Sequence, residues 1–458
     1  MPFELTEIFI EISIRNIIDC NGSSQLEGCW AGNFPFSSTH VRRAESLSDT
    51  LYGMVSLNID PSNSPEQWVR EHLEDLCSQF EDWMPSSRFR GGQTAANEAL
   101  LAFSSAQYAA RRNNVLPDHR RGASALSPYI RHGLIQLPAI WDHVADDPET
   151  DRNKFRDELL WQEYSRHLYA RIGTSLAHPL RMKPPVQDVP GGWLDRGDMS
   201  CIDFALTELE TDGWLPNQVR MWLASHWTIR NGADWRIGER QMFRDLLDGS
   251  YANRAGWQWT IGSATGRPYG FSRWQVNKRA SELCSQCPSQ QNCPIEEWPD
   301  DPVLEPAVPQ LSLRKGDHPP SEPLTPVIDP HRTPEAVWLT AESLGDDDPA
   351  LRSHPNLPAW FVFDLPLLTK LQLHPRRLVF IAECLHDLAR RREVRISIGD
   401  PSEILQSETV AVTAAPVPGF PDRATRVKPA AIYPWPWLVP ISDAPLSSFS
   451  AWRKRSRT

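Results

Sequence analysis

The sequence predicts a mainly α-helical protein that ends in a small α/β domain. Between positions 64 and 300 apolar residues recur at helical spacing, and convincing period-two alternation is missing from this stretch of sequence. A proline-rich, acidic stretch follows and extends to about position 334. Beyond it, short apolar runs alternate with a helical segment, which is the pattern of parallel strands joined by helices.

The helices of the first part are indicated by a start signal and by apolar spacing. Ser64 and the proline after it are typical of a helix start. Apolar side chains at helical intervals predict a helix over 154–172, and the segments 214–227 and 239–247 show the same spacing. We therefore expect an all-helical domain in this part of the chain.

The last third of the chain has the alternating pattern of a small doubly wound sheet. Short apolar runs predict strands over 336–340, 359–363 and 394–398, and a helix is expected over 378–391. Parallel pairing follows, because strands that are joined by crossover helices run in the same direction. We expect a Rossmann-like parallel-sheet domain over 335–458.

Two segments are not expected to contribute to either core. Residues 301–334 are rich in proline and acids and predict a semi-rigid linker, of which only short pieces could pack as strands across a domain surface. Residues 1–65 show no pattern, and two interpretations stay open, a disordered arm or a wrongly assigned start. The helical domain is then expected over 66–300.

The composition limits the classes of function. The formal net charge of −11 argues against a general nucleic-acid binder, so DNA binding would need a local basic patch. Because the sequence has no apolar run of membrane-spanning length and no signal-peptide pattern at its N-terminus, we expect no membrane partner and a cytoplasmic location. The 19 Trp residues cluster in the middle third, which indicates stacking surfaces, electron relays or an aromatic core.

Cysteines form the strongest local pattern. Cys284, Cys287 and Cys293 lie within ten residues, and the first two have C-x-x-C spacing, which indicates a metal centre in a chain without a secretion signal. A fourth ligand is needed, and Cys201 is the best candidate. Zinc and a [4Fe–4S] cluster both accept four cysteines, so spacing alone leaves both open. Buried free thiols are the plainer alternative.

Two further segments have the residue types of a cofactor site. In residues 122–129 small residues precede Ser127 and a proline, so the backbone donors of a turn would open into a helix N-terminus that suits a phosphate. An ordinary N-cap is the commoner meaning of such a turn. Residues 248–259 combine an acid, an Asn and two Trp, which a turn followed by an aromatic core segment would also explain.

Five segments together resemble the FAD domain of the photolyase/cryptochrome family, and they occur in that family's order. Residues 122–129 resemble its phosphate-cradling motif, 158–167 its substrate-pocket helix, and 253–259 its flavin-proximal motif. Residues 214–221 and 234–239 resemble the two motifs that lie between the substrate-pocket helix and the flavin-proximal motif. The likeness covers most of the helical domain, and it is specific because the motifs occur jointly.

The resemblance implies a bent FAD molecule that is held by residues of these motifs. Ser124, Leu126 and Ser127 would hold the pyrophosphate. Arg220 and Asp248 resemble the family's ion pair beside the flavin, for which a plain structural salt bridge is the alternative. The residues that the resemblance places at the cofactor are Tyr108, Ala123, Ser124, Ala125, Leu126, Ser127, Arg220, Asp248, Gly249, Ser250 and Asn253.

Three of the matched residues bear on the electronics of the flavin. Asn253 matches the position that faces flavin N5, where Asn is the photolyase-like choice and Asp or Cys would indicate a signalling cryptochrome. Trp257 and Trp235 match the proximal and middle members of the relay that reduces the flavin in light, and core aromatics are the alternative. The distal member of the relay has no clear counterpart.

The resemblance also implies a pocket for damaged bases. Glu158, Trp161, Asn217 and Met221 match the pocket of enzymes that repair cyclobutane pyrimidine dimers. A flipped base pair would stack on Trp161 and form hydrogen bonds to Glu158 and Asn217. The residue after Trp161 is Gln rather than the family's common Arg. The positions of the His pair that a (6-4) photolyase uses are Pro216 and Asn217, which favours cyclobutane dimers.

Two features resemble the iron–sulfur branch of the family, namely the cysteines after the flavin motifs and Cys201 one helix before the Asn217 motif. By this likeness a [4Fe–4S] cluster is favoured over zinc. Segments 336–351 and 359–364 look like the start of the family's α/β antenna domain, which precedes the FAD domain in ordinary members. We infer a circular permutation, and the shortened domain argues against an antenna chromophore.

The function implied by the resemblance is light-dependent DNA repair. The protein would be a carbon–carbon lyase that acts as a monomer on ultraviolet-damaged DNA and splits cyclobutane pyrimidine dimers by electron transfer from photoexcited reduced FAD. A blue-light sensor without repair activity and a (6-4) photolyase are the alternatives within the family. A nucleic-acid-binding protein without photochemistry is a third, because primase large subunits carry a related helical iron–sulfur domain.

Overall fold

A helical part and a sheet part make up the protein in a computed structural model, which describes residues 64–77, 82–186, 194, 196–197, 199–299, 303–308, 311–314, 323–417 and 419–455. Both interpretations of the N-terminal segment concern residues 1–65, of which 1–63 lie outside the described residues. Among the described residues, no helix combines the length and the apolarity that crossing a bilayer requires.

The first part is helical, as the apolar spacing predicts. Its α-helices are α1 Pro65–His72, α2 Gln93–Ala102, α3 Tyr108–Arg111, α4 Ser127–Arg131, α5 Leu137–His143, α6 Glu149–Ile172, α7 Ser200–Asp212, α8 Asn217–Ser225, α9 Trp235–Asp245, α10 Arg254–Thr260, α11 Arg273–Arg279 and α12 Ser281–Ser285. Single helical turns lie at Glu74–Leu76, Asp118–Arg120, Gly173–Ala177, His226–Arg230 and Tyr251–Asn253.

Helix α6 carries the site described below, and its ends follow from local chemistry. It begins after Pro148, and Glu149 and Asp151 lie in its first turn, where negative charge stabilises the helix dipole. These residues extend the predicted helix by one turn toward the N-terminus. The helix ends at Gly173, which has a φ of 53° that favours glycine.

The second part contains a six-stranded sheet. Its strands are β3 Val327–Ile328, β4 Ala336–Leu339, β5 Ala359–Asp364, β6 Val394–Gly399, β7 Val410–Thr413 and β8 Ala431–Tyr433. They lie side by side in the order β3-β8-β7-β4-β5-β6. Its helices are α13 Pro349–Ser353, α14 Leu365–Leu371, α15 Pro375–Ala389, α16 Pro401–Ile404, α17 Gly419–Val427 and α18 Phe449–Arg453. All pairs are parallel except β3 with β8.

The predicted parallel sheet is therefore confirmed, and its five parallel strands have the doubly wound order that reverses between β4 and β7. The predicted strands correspond to β4, β5 and β6. Sequence reasoning missed β7 and β8.

Short pieces of the proline-rich segment pack against the rest of the protein, which was the alternative to a free linker. Strand β2, Glu305–Pro306, pairs with β1, Met182–Lys183. Strand β3 adds to the main sheet edge, and Leu313 between them is buried. These pieces connect the helical part to the sheet part.

One apolar core spans both parts of the chain. The ring of Trp68 on α1 lies 5.4 Å from that of Phe363 on β5, and the ring of Tyr129 on α4 lies 6.0 Å from that of Phe380 on α15. A second core lies within the helical part around buried tryptophans. The division into domains at 66–300 and 335–458 stays a prediction, since the two parts share a core.

The C-terminal segment, which we define as residues 434–455, runs back along α6. Tyr164 donates a hydrogen bond from its hydroxyl to the Leu446 carbonyl (2.8 Å), and Nε2 of His167 lies 3.0 Å from the Val439 carbonyl. The Glu163 carboxylate accepts the Val439 amide (2.9 Å). Buried polar groups of α6 thus fix the path of this segment.

Candidate functional site

A cleft with a cavity volume of about 110 Å³ opens between α3, α4, α6 and α8. Its lining residues are Tyr108, Arg112, Asn113, Ala123, Ser124, Ala125, Ser127, Ile130, Phe155, Glu158, Leu159, Gln162, Trp214, Leu215, Asn217 and Arg220. We call this cavity the α6 cleft.

A buried ion pair forms one wall of the α6 cleft. The Arg220 guanidinium donates to both carboxylate oxygens of Asp248, over 3.0 and 2.7 Å. Ser127 donates its hydroxyl to the same carboxylate (2.8 Å) and accepts the indole N–H of Trp214 (2.8 Å). Bidentate pairing of this kind fixes orientation as well as charge. Three predicted cofactor residues, Arg220, Asp248 and Ser127, are therefore held in one network.

The turn before α4 also lines the cleft. Ser124 and Ala125 line the cleft, and Ala125 has a φ of 55°, a backbone conformation that few non-glycine residues adopt. This turn leads into Ser127 and Pro128 at the start of α4. Ala123 lies on the cleft as well, whereas Leu126 points into the core and is buried.

Helix α6 contributes Glu158, whose side chain lies at a cationic corner of the cleft. The Lys154 ammonium lies 2.9 Å and the Arg112 Nε 3.8 Å from its carboxylate. Burial raises the pKa of Glu158 to about 7, although the two cations oppose the shift. Glu158 therefore changes its charge near neutral pH.

Glu158→Gln is expected to stabilise the protein at alkaline pH only. The folded-state pKa of Glu158 lies above the ordinary value of 4.5. The protonated carboxyl therefore contributes fully to the stability of the fold below pH 4.5, and this contribution is lost as the pH rises toward 7. We expect the free energy of unfolding to rise by about 1–3 kcal/mol at pH 8 and to change little at pH 4.5.

Urea unfolding at the two pH values measures this difference. Asp157→Asn, which removes an exposed carboxylate from the same helix, serves as the control and should change stability little at either pH. Equal effects of Glu158→Gln at both pH values would contradict the assignment.

Trp161 does not line the α6 cleft. Its indole is stacked on the ring of Phe449 in the C-terminal segment, with 3.8 Å between ring centroids and 10° between planes. The Tyr164 ring approaches Phe449 edge-on, at 5.9 Å. One face of Trp161, the residue that was predicted to receive a base, is thus next to an aromatic side chain of the same protein.

Asn217 begins α8 and lines the cleft. Its amide nitrogen lies 3.8 Å from the sulfur of Met221, and its side-chain oxygen has no hydrogen-bond partner among the described residues. Met221 is fully buried behind it. A ligand in the cleft would donate a hydrogen bond to this oxygen. Buried side-chain amides seldom lack such a donor.

Three other predicted residues are buried and do not line the cleft. Trp235 at the start of α9 and Trp257 on α10 are fully buried in the second core. Asn253 ends the turn Tyr251–Asn253 and is also buried. None of the three lines the cleft.

The loop that carries Asp248 is packed closely. Gly249 has no room for a side chain, since a Cβ atom there would lie 2.3 Å from the Phe243 carbonyl oxygen. Ser250 accepts the Ala252 amide and begins the turn that positions Asn253. Gly249 and Ser250 thus shape the wall without lining the cleft.

The structure therefore brings one group of predicted residues to the cleft, whereas another group does not line it. Those on the cleft are Tyr108, Ala123, Ser124, Ala125, Ser127, Glu158, Asn217 and Arg220. Sequence reasoning missed Arg112, Phe155 and Trp214, although Trp214 occurs within a segment that resembles the family. Arg112 lies far from Glu158 in sequence, so only the structure shows that the two are neighbours.

The four predicted metal ligands line one cavity. Cys201 on α7 and Cys284 on α12 meet Cys287 and Cys293 there, beside Arg273. Burial raises the pKa of Cys201 to about 12, and the three other cysteines add to this shift, because a thiolate disfavours another one nearby. Burial also raises the pKa of Cys284.

Metal binding itself is not confirmed. In the described part of the chain, no group of three or more His, Cys, Asp or Glu side chains is arranged to hold a metal ion. The cysteines share a cavity, which is what the predicted ligand set requires, but the ligand geometry of an ion is not formed.

Known proteins resemble the part of the chain that builds the cleft. Residues 155–281 match the family model described as the FAD binding domain of DNA photolyase. The deoxyribodipyrimidine photo-lyase of Vibrio cholerae is 33% identical over 172 residues, which are 33% of this chain and 35% of that protein. The Alkalihalophilus pseudofirmus enzyme of the same name is 27% identical over 227 residues, which cover 47% of this chain and 46% of the relative.

A cryptochrome is among the similar proteins too. Cryptochrome DASH of Arabidopsis thaliana is 27% identical over 231 residues, which are 46% of this chain and 40% of that protein. A class III photolyase structure from Agrobacterium tumefaciens is 25% identical and covers 42% of this chain and 43% of its own, with a TM-score of 0.34. The chain spans less than half the length of the curated relatives named here.

The matched segment runs from Phe155 on α6 to the start of α12 and includes the Arg220–Asp248 pair. It thus contains one side of the α6 cleft and both tryptophans of the predicted relay. The family-model match and the similarity to the curated relatives support the photolyase/cryptochrome family for this chain.

Proposed function

We propose that this chain binds FAD in the α6 cleft and uses it to repair cyclobutane pyrimidine dimers in light. The single observation that carries the proposal is that residues from the separate segments 122–129, 158–167 and 214–221 meet on one cleft. Each segment resembles a motif of the same family, and a functional site is the simplest reason for them to meet. The match of residues 155–281 to a photolyase FAD domain supports the same conclusion.

The residues of the cleft fit a flavin dinucleotide. The hydroxyls of Ser124 and Tyr108 offer polar partners, and Phe155 with Leu159 offers an apolar wall. The charge of Arg220 is balanced by Asp248, so that the wall adds a fixed dipole rather than a free cation. This mixture of an apolar lining and a few placed polar groups is typical of cofactor sites.

Bound FAD would supply the light-driven electron transfer, and the protein would supply orientation and burial. The network of Ser127, Arg220 and Asp248 would fix one side of the cofactor. Glu158 and Asn217 would reach a damaged base from α6 and α8, since both side chains lie on the cleft. Extrusion of such a base from a duplex costs a few kcal/mol, and this cost is smallest where damage has already weakened the stacking.

The proposal is tested on the purified full chain. We expect a flavin absorbance spectrum and, after reduction, restoration of a dimer-containing oligonucleotide under blue light but not in the dark. A second oligonucleotide with a (6-4) product should stay unrepaired. Protein without flavin would overturn the proposal, and repair of the (6-4) product instead would overturn the substrate assignment.

A blue-light sensor is the second candidate, and one observation favours it. Trp161, the expected stacking partner of a damaged base, is already stacked on Phe449. An indole face that is already covered by an aromatic side chain of the same protein suits a protein that holds flavin and does not admit a lesion. Flavin binding without repair in the experiment above would select this candidate.

We propose further that Cys201, Cys284, Cys287 and Cys293 hold a [4Fe–4S] cluster. Their shared cavity and the resemblance to the iron–sulfur branch support the proposal. A single zinc ion requires four sulfurs about 2.3 Å from one centre, whereas the sulfurs that hold a cluster are spread around a larger body.

Cys287→Ser is expected to remove the iron from anaerobically purified protein and to lower its thermal stability, because metal binding contributes to folding. Iron analysis and visible absorbance measure the loss. Cys77→Ser, at a buried cysteine outside the cavity, should leave the iron content unchanged. Wild-type protein without iron, or equal iron in both variants, would contradict the cluster.

The sheet part is proposed to be the family's α/β domain in a permuted position. Its doubly wound strand order and its place after the helical part support this proposal. The strands come after the cleft-forming helices in sequence, and they share an apolar core with α4 and α6. Action as a monomer on ultraviolet-damaged DNA in the cytoplasm stays a prediction.

A further inference from the structure

The first turn of α15 directs two neighbouring arginines from the sheet part into the helical part. Arg376 and Arg377 are 3% and 1% exposed, and both donate to backbone carbonyls of the helical part. His374 precedes the helix and accepts the Arg376 amide, which fixes this turn. Fully buried arginines are rare, so each of them needs partners that offset the loss of hydration.

Arg377 donates to two backbone carbonyls, one that precedes Asp248 in sequence and one that follows it. Its Nη2 donates to the Gly249 carbonyl over 3.0 Å, and its Nη1 donates to the Phe243 carbonyl. Its guanidinium also lies over the Phe243 ring, 5.0 Å from the centroid. A Cβ atom on Gly249 would lie 2.8 Å from Arg377 Nη1, so the glycine is what permits this approach.

The same loop is held from a second direction. Arg131 at the end of α4 donates from Nε to the Gly249 carbonyl over 3.2 Å, and its Nη1 lies 3.4 Å from the carboxylate of Glu342. The ring nitrogens of His132 lie 2.9 Å from the Ala341 carbonyl and 3.3 Å from the Leu247 carbonyl. Groups of the sheet part thus hold residues 247–249 directly through α15 and indirectly through α4.

Asp248 lies between these anchored carbonyls. Its carboxylate accepts from Arg220 and Ser127, the two residues that line the α6 cleft beside it. A displacement of the Gly249 carbonyl would therefore move the carboxylate and, with it, the cleft wall. Positions at a binding site must hold within a fraction of an ångström to keep affinity.

We propose that Arg377 is a positioning residue for the cofactor, through which the C-terminal sheet part completes the flavin site. The inference rests on the proposed function, because it concerns FAD in the α6 cleft. It assigns to the sheet part a role in positioning the flavin, and this role does not depend on an antenna chromophore.

Arg377→Ala is compared with Arg376→Ala, which offers a matched control. Arg376 lies in the same turn, is equally buried and donates to the carbonyls of Leu209 and Glu210 on α7, away from the cleft. Both variants should lower thermal stability. Only Arg377→Ala should raise the dissociation constant for FAD, by about threefold to tenfold, which is the size of a net hydrogen bond.

The measurement is a titration of the flavin-depleted full chain with FAD, followed by flavin fluorescence and visible circular dichroism. Arg377→Lys and Arg376→Lys serve where an alanine variant does not fold, and Arg377→Lys should give an intermediate affinity because it keeps one donor. Equal FAD affinity of the two variants would overturn the positioning role and leave the proposed function intact. Wild-type protein that binds no FAD would overturn both.

Discussion

Asp248→Ala is expected to abolish flavin binding and to lower the free energy of unfolding by about 3–5 kcal/mol, the usual cost of breaking a buried ion pair on one side. The side chains of Arg220 and Asp248 are 3% and 0% exposed. The variant removes the carboxylate that accepts two charge-assisted hydrogen bonds from the Arg220 guanidinium. Because Arg220 is buried, water does not replace the lost acceptor. Ser127 would lose its acceptor at the same time.

Chemical denaturation and flavin stoichiometry measure the two effects separately. Glu393→Ala breaks the exposed pair of Arg395 and Glu393 and should cost only about 0–1 kcal/mol. The double variant Arg220→Met with Asp248→Leu removes both charges and should regain much of the stability, although not the flavin. A double variant that binds FAD normally would show that the ion pair does not shape the cofactor site.

The sequence predicted those features that repeat along the chain. Helix α6 has apolar side chains at helical spacing over several turns, so its existence and its pocket-facing residue Glu158 could be expected from pattern and resemblance. Strands β4 and β5 are continuous apolar runs because both of their faces are buried. Periodicity and composition reveal such features because many residues report the same environment.

The features that the sequence did not predict depend on single long-range contacts. Nothing in the local pattern of Arg376 and Arg377 indicates burial, since paired arginines near a helix start usually face solvent. Their environment is created by carbonyls of α7 and of the Asp248 loop, which are distant in the chain. In the same way, Phe449 is an ordinary aromatic residue in sequence, and only the course of the C-terminal segment along α6 brings it to Trp161.

Phe449→Ala is expected to strengthen the binding of dimer-containing DNA by about tenfold, because it frees the stacking face of Trp161. A base on an aromatic side chain contributes about 1–3 kcal/mol. In the wild-type protein a base can reach this face only if the Trp161–Phe449 stack, at 3.8 Å and 10°, is first broken. Removing Phe449 removes that cost, while Tyr164 and His167 continue to hold the rest of the C-terminal segment.

Fluorescence anisotropy with labelled damaged and undamaged oligonucleotides measures the affinities. Trp437→Ala, which removes an aromatic contact of the same segment with His167, should leave them unchanged. Trp161→Ala combined with Phe449→Ala should lose the gain, because the freed face is then absent. Weaker binding by Phe449→Ala alone would mean that Phe449 belongs to the stacking surface, and the C-terminal segment would then be a part of the lesion site rather than its cover.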